Sequence, residues 1–178
     1  MIKTKISILL TVVVVVALLS SSKKDTTEQL YSAQIKSISA MNQVDGTPVS
    51  SDSLKGKMLI LNFWASYDAT SRINNFELLK LSDEYRNVSF YNGEGLSVVS
   101  ISLDKFKAPL RKAIATDGTD CFSHICDYKG VDSELALSFD VNRPVNLLVD
   151  ADGKIVARDF NVGTLRSALQ MMTCDTCN

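Results

Sequence analysis

The chain has 178 residues, 46% of them hydrophobic, with 19 basic and 20 acidic side chains and a net charge of −1. That length fits one domain of ordinary size, able to bury a core without metal or disulfide support. The balanced charge excludes a global field that recruits nucleic acid or anionic lipid, and no basic stripe marks a nucleic-acid binder.

Lys3 and Lys5 precede an apolar run from Ile6 to Leu19, followed by Ser20-Ser21-Ser22-Lys23-Lys24. A charged start, a short apolar stretch and small residues after it describe a Sec-type signal peptide over residues 1–22. The run is short of the roughly 20 residues that cross a bilayer. Extended through Ser22 it spans with some tilt, so an uncleaved N-terminal anchor is the alternative. The context also resembles a bacterial lipoprotein signal, but no cysteine follows the serines to carry lipid. The expected destination is extracytoplasmic, a bacterial periplasm, with membrane contact only if the segment stays uncleaved.

Residues 23–34 are polar and read as a linker, leaving 35–178 as the folded domain. Ile35 to Val49 alternates weakly around Asp45-Gly46, which predicts a β-hairpin. Met58–Phe63 is apolar apart from Asn62, as a central strand buried on both faces should be. Asp68 then opens a helix running to about Arg86, with Ile73, Phe76, Leu78, Leu79, Leu81 and Tyr85 at helical spacing. Leu96–Leu103 is the next strand, and Asp104 is placed to cap a helix to about Thr116, stopped by Asp117-Gly118. Thr119–Lys129 is irregular. Ser133–Phe139 is a short helix, Val145–Val149 and Lys154–Arg158 are strands joined by a turn at Asp150–Gly153, and Thr164–Met172 closes the domain. This order predicts an α/β fold of three layers, a mixed central sheet with helices on both faces and an N-terminal hairpin.

Cys121, Cys126, Cys174 and Cys177 form an even set in an exported chain, where disulfides form and persist. All four are disulfide candidates. Cys174-x-x-Cys177 also has zinc-ligand spacing, but the gap between Cys121 and Cys126 is loose, and no metal or other cofactor is expected. His124, the sole histidine, has no catalytic partner motif and reads as structural. No Ser/His/Asp set, phosphate-cradling glycine loop or paired carboxylates appear.

LKGKMLILNFWAS, Ser102-Leu103-Asp104 and the stretch Arg143-Pro144-Val145-Asn146-Leu147-Leu148-Val149-Asp150-Ala151-Asp152-Gly153 occur in order. On these marks the chain resembles the exported thioredoxin-like proteins of the TlpA, ResA and AhpC/TSA type, over roughly Ile35–Met172. By that resemblance Asp68 occupies the place of the family's nucleophilic cysteine and Ser71 that of the resolving cysteine. The chain is then a degenerate, redox-inactive member, because a carboxylate and a hydroxyl cannot exchange between dithiol and disulfide. Asp68 suits a helix cap instead. The resemblance also implies that Pro144 is a cis-proline facing the turn, and that Trp64, Tyr67, Asp68, Arg72, Arg143 and Pro144 surround a groove for an extended peptide. Arg143 is expected either to pair with Asp68 or to meet an acidic partner group.

In that fold the final helix runs away from the groove, and Cys174-x-x-Cys177 follows its C-terminus, where the dipole disfavours thiolates. Residues 118–127 are expected at the same far pole. A cross-link of Cys121 or Cys126 to Cys174 or Cys177 follows as one pairing, and two local disulfides as the other. The expected function is a non-catalytic module binding a peptide or envelope protein. The alternative is a thiol:disulfide oxidoreductase in cell redox homeostasis, using Cys174/Cys177 or Cys121/Cys126.

Overall fold

The computed structural model describes residues 35–174; the expected signal segment, the linker and Cys177 lie outside them. Strand β1 (Met58–Trp64) is buried along its whole length. It forms the centre of a five-stranded sheet of order β5-β4-β1-β6-β7. Strand β4 (Leu96–Ser102) runs parallel to β1, and β6 (Val145–Val149) antiparallel to it. Strand β5 (Ser123–Ile125) continues parallel beyond β4, and β7 (Ile155–Arg158) antiparallel beyond β6. A mixed α/β sheet fold is therefore present, as the order of elements predicts.

The period-2 alternation of a strand divides β1 between two cores. Leu59, Leu61 and Phe63 pack with Ile38 and with Leu135 and Ala136 of α3 (Glu134–Ser138). Met58 and Ile60 pack with Leu78 and Leu81 of α1 (Ala69–Glu84) and Leu165 and Leu169 of α4 (Val162–Met172). Trp64, on the face of Met58, meets Leu110, Ala113 and Ile114 of α2 (Lys107–Asp117). Burying each such large side chain contributes roughly 1.5–3 kcal/mol. With both faces of β1 enclosed, its register against β4 and β6 is fixed.

Four local readings differ from the sequence expectation. Residues 35–39 are helical, because Ile35, Ile38 and Met41 recur on one helical face and pack against the core. The expected hairpin shrinks to one antiparallel bridge, Asn42 with Pro48, around a turn in which Gly46 takes φ 95°. Asp104 does not cap α2, whose N-cap Phe106 makes no side-chain cap bond. Strands β5, β2 (Ser89–Phe90) and β3 (Gly93–Glu94) are too short and too polar to show an alternating pattern.

The pairing of Leu59 with Val149 puts the β6–β7 turn at the N-terminal end of β1. The tail returns to that same end. Thr173 bridges Phe90, and the Cys174 N–H donates to the Ser89 carbonyl at 2.9 Å. Ile35 lies there too, sharing a cleft with Gly56, Leu59 and Asp152. The C-terminal ends of β1 and β4 form the opposite pole.

Candidate functional site

At that opposite pole β1 ends, the chain turns through Ala65–Asp68, and α1 begins. Asp68 is its N-cap, in extended backbone (φ −96°, ψ 109°). Its Oδ1 accepts the backbone N–H and the hydroxyl of Ser71, each at 2.6 Å. These two bonds, the hydroxyl first, hold the Asp68 carboxyl below its usual value of 3.8. The carboxylate thus stays ionised and bound to the helix start, as capping chemistry predicts.

Asp104 anchors the turn from behind. Nearly fully buried, it accepts the Ser66 N–H at 2.9 Å, the Ser66 hydroxyl, and the Ser102 hydroxyl at 2.7 Å. A carboxylate that would otherwise cap α2 is used instead to tie the turn to the end of β4.

A groove of about 560 Å³ opens beside this turn. Asp68, Ser71, Arg143 and Pro144 line it together with Asn74, Asp159 and Asn161. Phe63, Val145 and Phe160 supply apolar wall. Arg143 pairs with Asp159 rather than with Asp68, because Asp159, held at φ 55°, follows the adjacent strand β7 directly. That pair raises the Arg143 pKa, chiefly through the hydrogen bond to Asp159. The Arg143–Pro144 bond is trans, since the described residues contain no cis peptide. The expected cis-proline is thereby corrected to the isomer that X-Pro bonds favour by about 0.5–1 kcal/mol.

Three other expected groove residues lie elsewhere. Trp64 is fully buried and stacks obliquely near His124, with ring centroids 6.1 Å apart. Tyr67 is 75% exposed and borders a separate apolar cleft with Phe106, Pro109 and Val131. Arg72 turns toward α2, where its Nε donates to Asp117 Oδ2 at 2.8 Å and its Nη2 bonds Oδ1. The hydrogen bond to Asp117 raises the Arg72 pKa.

Asn62 and Asn146 are missing from the expected set. They pair across β1 and β6 on the groove floor. Asn62 donates to Asn75 Oδ1 behind it at 2.7 Å, while Asn75 Nδ2 and Asn146 Oδ1 are buried without partners among the described residues. Asn62 is the one polar break in an otherwise apolar strand, and that break is the signal the sequence carries for it.

Cys121 and Cys126 are free thiols, whereas Cys174 is disulfide-bonded. The cross-link between the two cysteine pairs is therefore not formed. A Cys121–Cys126 bridge is excluded by geometry. The two flank the three residues of β5, which alone span roughly 10 Å, beyond the ~7 Å that a disulfide bridges. Cys126 is also at the Asp68 pole, not the far one, because β5 runs parallel to β4. Its Sγ donates to the Asp104 carbonyl at 3.5 Å and accepts the Tyr128 N–H at 3.4 Å. Burial pushes this thiol up, away from a reactive thiolate. Cys174 is at the far pole, as the direction of α4 requires. Among the described residues no group of three or more His, Cys, Asp or Glu side chains is arranged to hold a metal ion, and no helix is long and apolar enough to cross a membrane.

No protein-family model matches the sequence, and no curated protein does. Solved structures do. A thiol-disulfide oxidoreductase from Bacteroides fragilis is 30% identical, with a TM-score of 0.64, covering 74% of this chain and 93% of that one. A thioredoxin-like protein from Parabacteroides distasonis is 27% identical, with a TM-score of 0.54, covering 65% and 81%. A thiol:disulfide interchange protein from a Bacteroides species shares the fold at 23% identity and a TM-score of 0.59, covering 73% and 82%. The sheet order, the turn leading into α1 and these likenesses agree: the chain belongs to the thioredoxin-like thiol-disulfide oxidoreductase family.

Proposed function

We propose that this protein keeps the thioredoxin-like frame but uses its groove to hold an extended peptide or protein segment, without dithiol exchange at the groove. The observation that carries this reading is the Asp68 carboxylate capping Ser71 in a groove whose lining includes no cysteine. Asp68 and Ser71 take the places of the family's two sulfurs. Their atoms offer a fixed negative charge and a spent hydroxyl, and neither passes electrons. Fold alone does not carry the relatives' chemistry, which resides in the site.

The charge of the groove narrows the partner. Arg143 is neutralised by Asp159, so Asp68 is the net charge, and a basic or neutral segment suits the groove better than an acidic one. The protein acts outside the cytoplasm, a placement supported by the signal-like residues 1–22 and by the disulfide at Cys174.

A second reading has support of its own. The relatives are thiol-disulfide oxidoreductases, and Cys174 is already in a disulfide, so exchange at the far pole is the rival. A disulfide-reductase assay on the mature protein separates the two. The proposal expects no activity in the natural chain and a gain of activity in the double variant Asp68→Cys, Ser71→Cys, whose new thiols sit at a helix N-terminus. Activity in the natural chain that vanishes in Cys174→Ser establishes the rival instead. Peptide capture completes the test. Basic extended peptides are retained, Asp68→Asn weakens retention, and equal capture by the variant rejects the groove as the binding surface.

A further inference from the structure

The turn that leads into α1 has a second face. Tyr67 and Asp68 are consecutive, so their Cα atoms lie about 3.8 Å apart. Asp68 lines the groove, whereas Tyr67 lines a separate cleft of about 340 Å³ with Leu103, Lys105, Phe106, Pro109 and Val131. One residue step therefore separates the two clefts. The walls of the second are open to solvent. Tyr67 is 75% exposed, Phe106 73% and Val131 37%. Exposed apolar groups gathered at one place mark a surface that another molecule covers.

Stability does not account for Phe106. It occupies the N-cap of α2 and makes no side-chain cap bond, at a position where Ser, Thr, Asp or Asn would satisfy the helix start. A local rule broken at an exposed site, with no packing gained in return, points to function. Charge is ordered across the same turn. On one side Asp68 carries the net charge of the groove, since Arg143 is paired with Asp159. On the other, Lys105 is exposed and its ion pair with Asp132 is long, at 3.8 Å. Such a contact gives way readily to a ligand carboxylate. Asp104, also in the lining, is already committed to Ser66 and Ser102. The surface thus runs from negative through apolar to positive.

We propose that the segment held at Asp68 continues over the turn and seats an aromatic side chain between Tyr67, Phe106 and Val131, with an acidic side chain beyond it meeting Lys105. The inference rests on the reading of the Asp68 groove as a peptide site, and it names the segment that fits. In an extended chain neighbouring side chains point to opposite faces, so only alternate positions reach one surface. The partner therefore presents basic, aromatic and acidic residues at every second position. The aromatic contact supplies rigid buried area, and the two charges fix the register.

The test is fluorescence anisotropy with the full-length protein and short labelled peptides, end-blocked and made in both chain directions. One carries Lys-Ser-Phe-Ser-Glu; the others replace its Phe by Ala or its Glu by Gln. The Phe peptide is expected to bind at least about tenfold tighter than the Ala peptide, as burial of one large side chain allows. That ratio falls to one in Phe106→Ala, a variant that folds because the ring is exposed and makes no cap bond. The Gln peptide binds roughly threefold weaker than the Glu peptide to the natural chain, and equally to Lys105→Gln. Equal affinity for the Phe and Ala peptides overturns the inference, as does a Phe preference that survives in Phe106→Ala. Asp68→Asn separates this inference from the reading it rests on. Weakening of the Phe and Ala peptides by a common factor supports both, whereas a Phe preference without any loss in Asp68→Asn keeps the cleft and rejects the groove.

Discussion

Asp68 and Ser71 are joined twice, since one carboxylate oxygen accepts both the N–H and the hydroxyl of the residue three positions on. The contact satisfies a free donor of the helix start and places a negative charge in the favourable end of the helix dipole. It also consumes the hydroxyl at that position. Both side chains are thus committed to holding the first turn of α1.

Asp68→Ala is therefore expected to destabilise the fold by about 1 kcal/mol, within the usual 0.5–2 range for lost caps. The pH dependence has a definite sign. A carboxyl whose pKa is lowered on folding contributes stability that is present above its unfolded value and lost as pH falls through the folded one. Urea unfolding from neutral pH down to about pH 3 should show this component in the natural chain and not in Asp68→Asn.

Two arginines at this pole should behave differently. Arg72 meets the nearly fully buried Asp117 through two bonds, so Arg72→Ala leaves a buried carboxylate unpaired and should cost about 2 kcal/mol. Arg72→Lys should restore only part, because a point charge cannot make the forked contact. Arg143 and Asp159 are both exposed, so Arg143→Ala should leave the melting temperature nearly unchanged.

The asparagines under the groove give a double-mutant test. Asn62→Leu alone leaves Asn75 with neither its donor nor its acceptor paired, and should cost roughly 1–3 kcal/mol. Asn62→Leu with Asn75→Leu removes both partners and should recover most of that loss. A sum of two independent penalties would contradict the coupling.

Thiol labelling checks the cysteine assignment. On native protein without reductant, iodoacetamide should modify Cys121 quickly, Cys126 slowly and Cys174 not at all. Mapping that recovered a Cys121–Cys126 disulfide would mean that β5 is not formed as described.

These outcomes follow what the sequence makes legible and what it does not. The start of α1 is readable because Asp68 and Ser71 are three residues apart and capping is local. The central strand is readable because burial on both faces leaves a continuous apolar run, and Asn62 interrupts it where the groove floor needs a polar group. The arginine assignments are not readable in the same way. Arg72 finds Asp117 across 45 positions and Arg143 finds Asp159 across 16, and neither spacing leaves a periodic trace. Strand β5 is three residues long, and without it the direction of residues 118–127 is reversed, which is why Cys126 is expected at the wrong pole. Asp104 has the right chemistry for a cap but is drawn into the stronger set of partners at Ser66 and Ser102.

Ile35 and the Cys174 end of the chain meet at the pole farthest from Asp68. The described chain therefore enters and leaves the domain at its base. The chain preceding residue 35 joins the side away from the groove. An attachment made through that end would leave the groove face uncovered, since the two lie at opposite ends of strand β1.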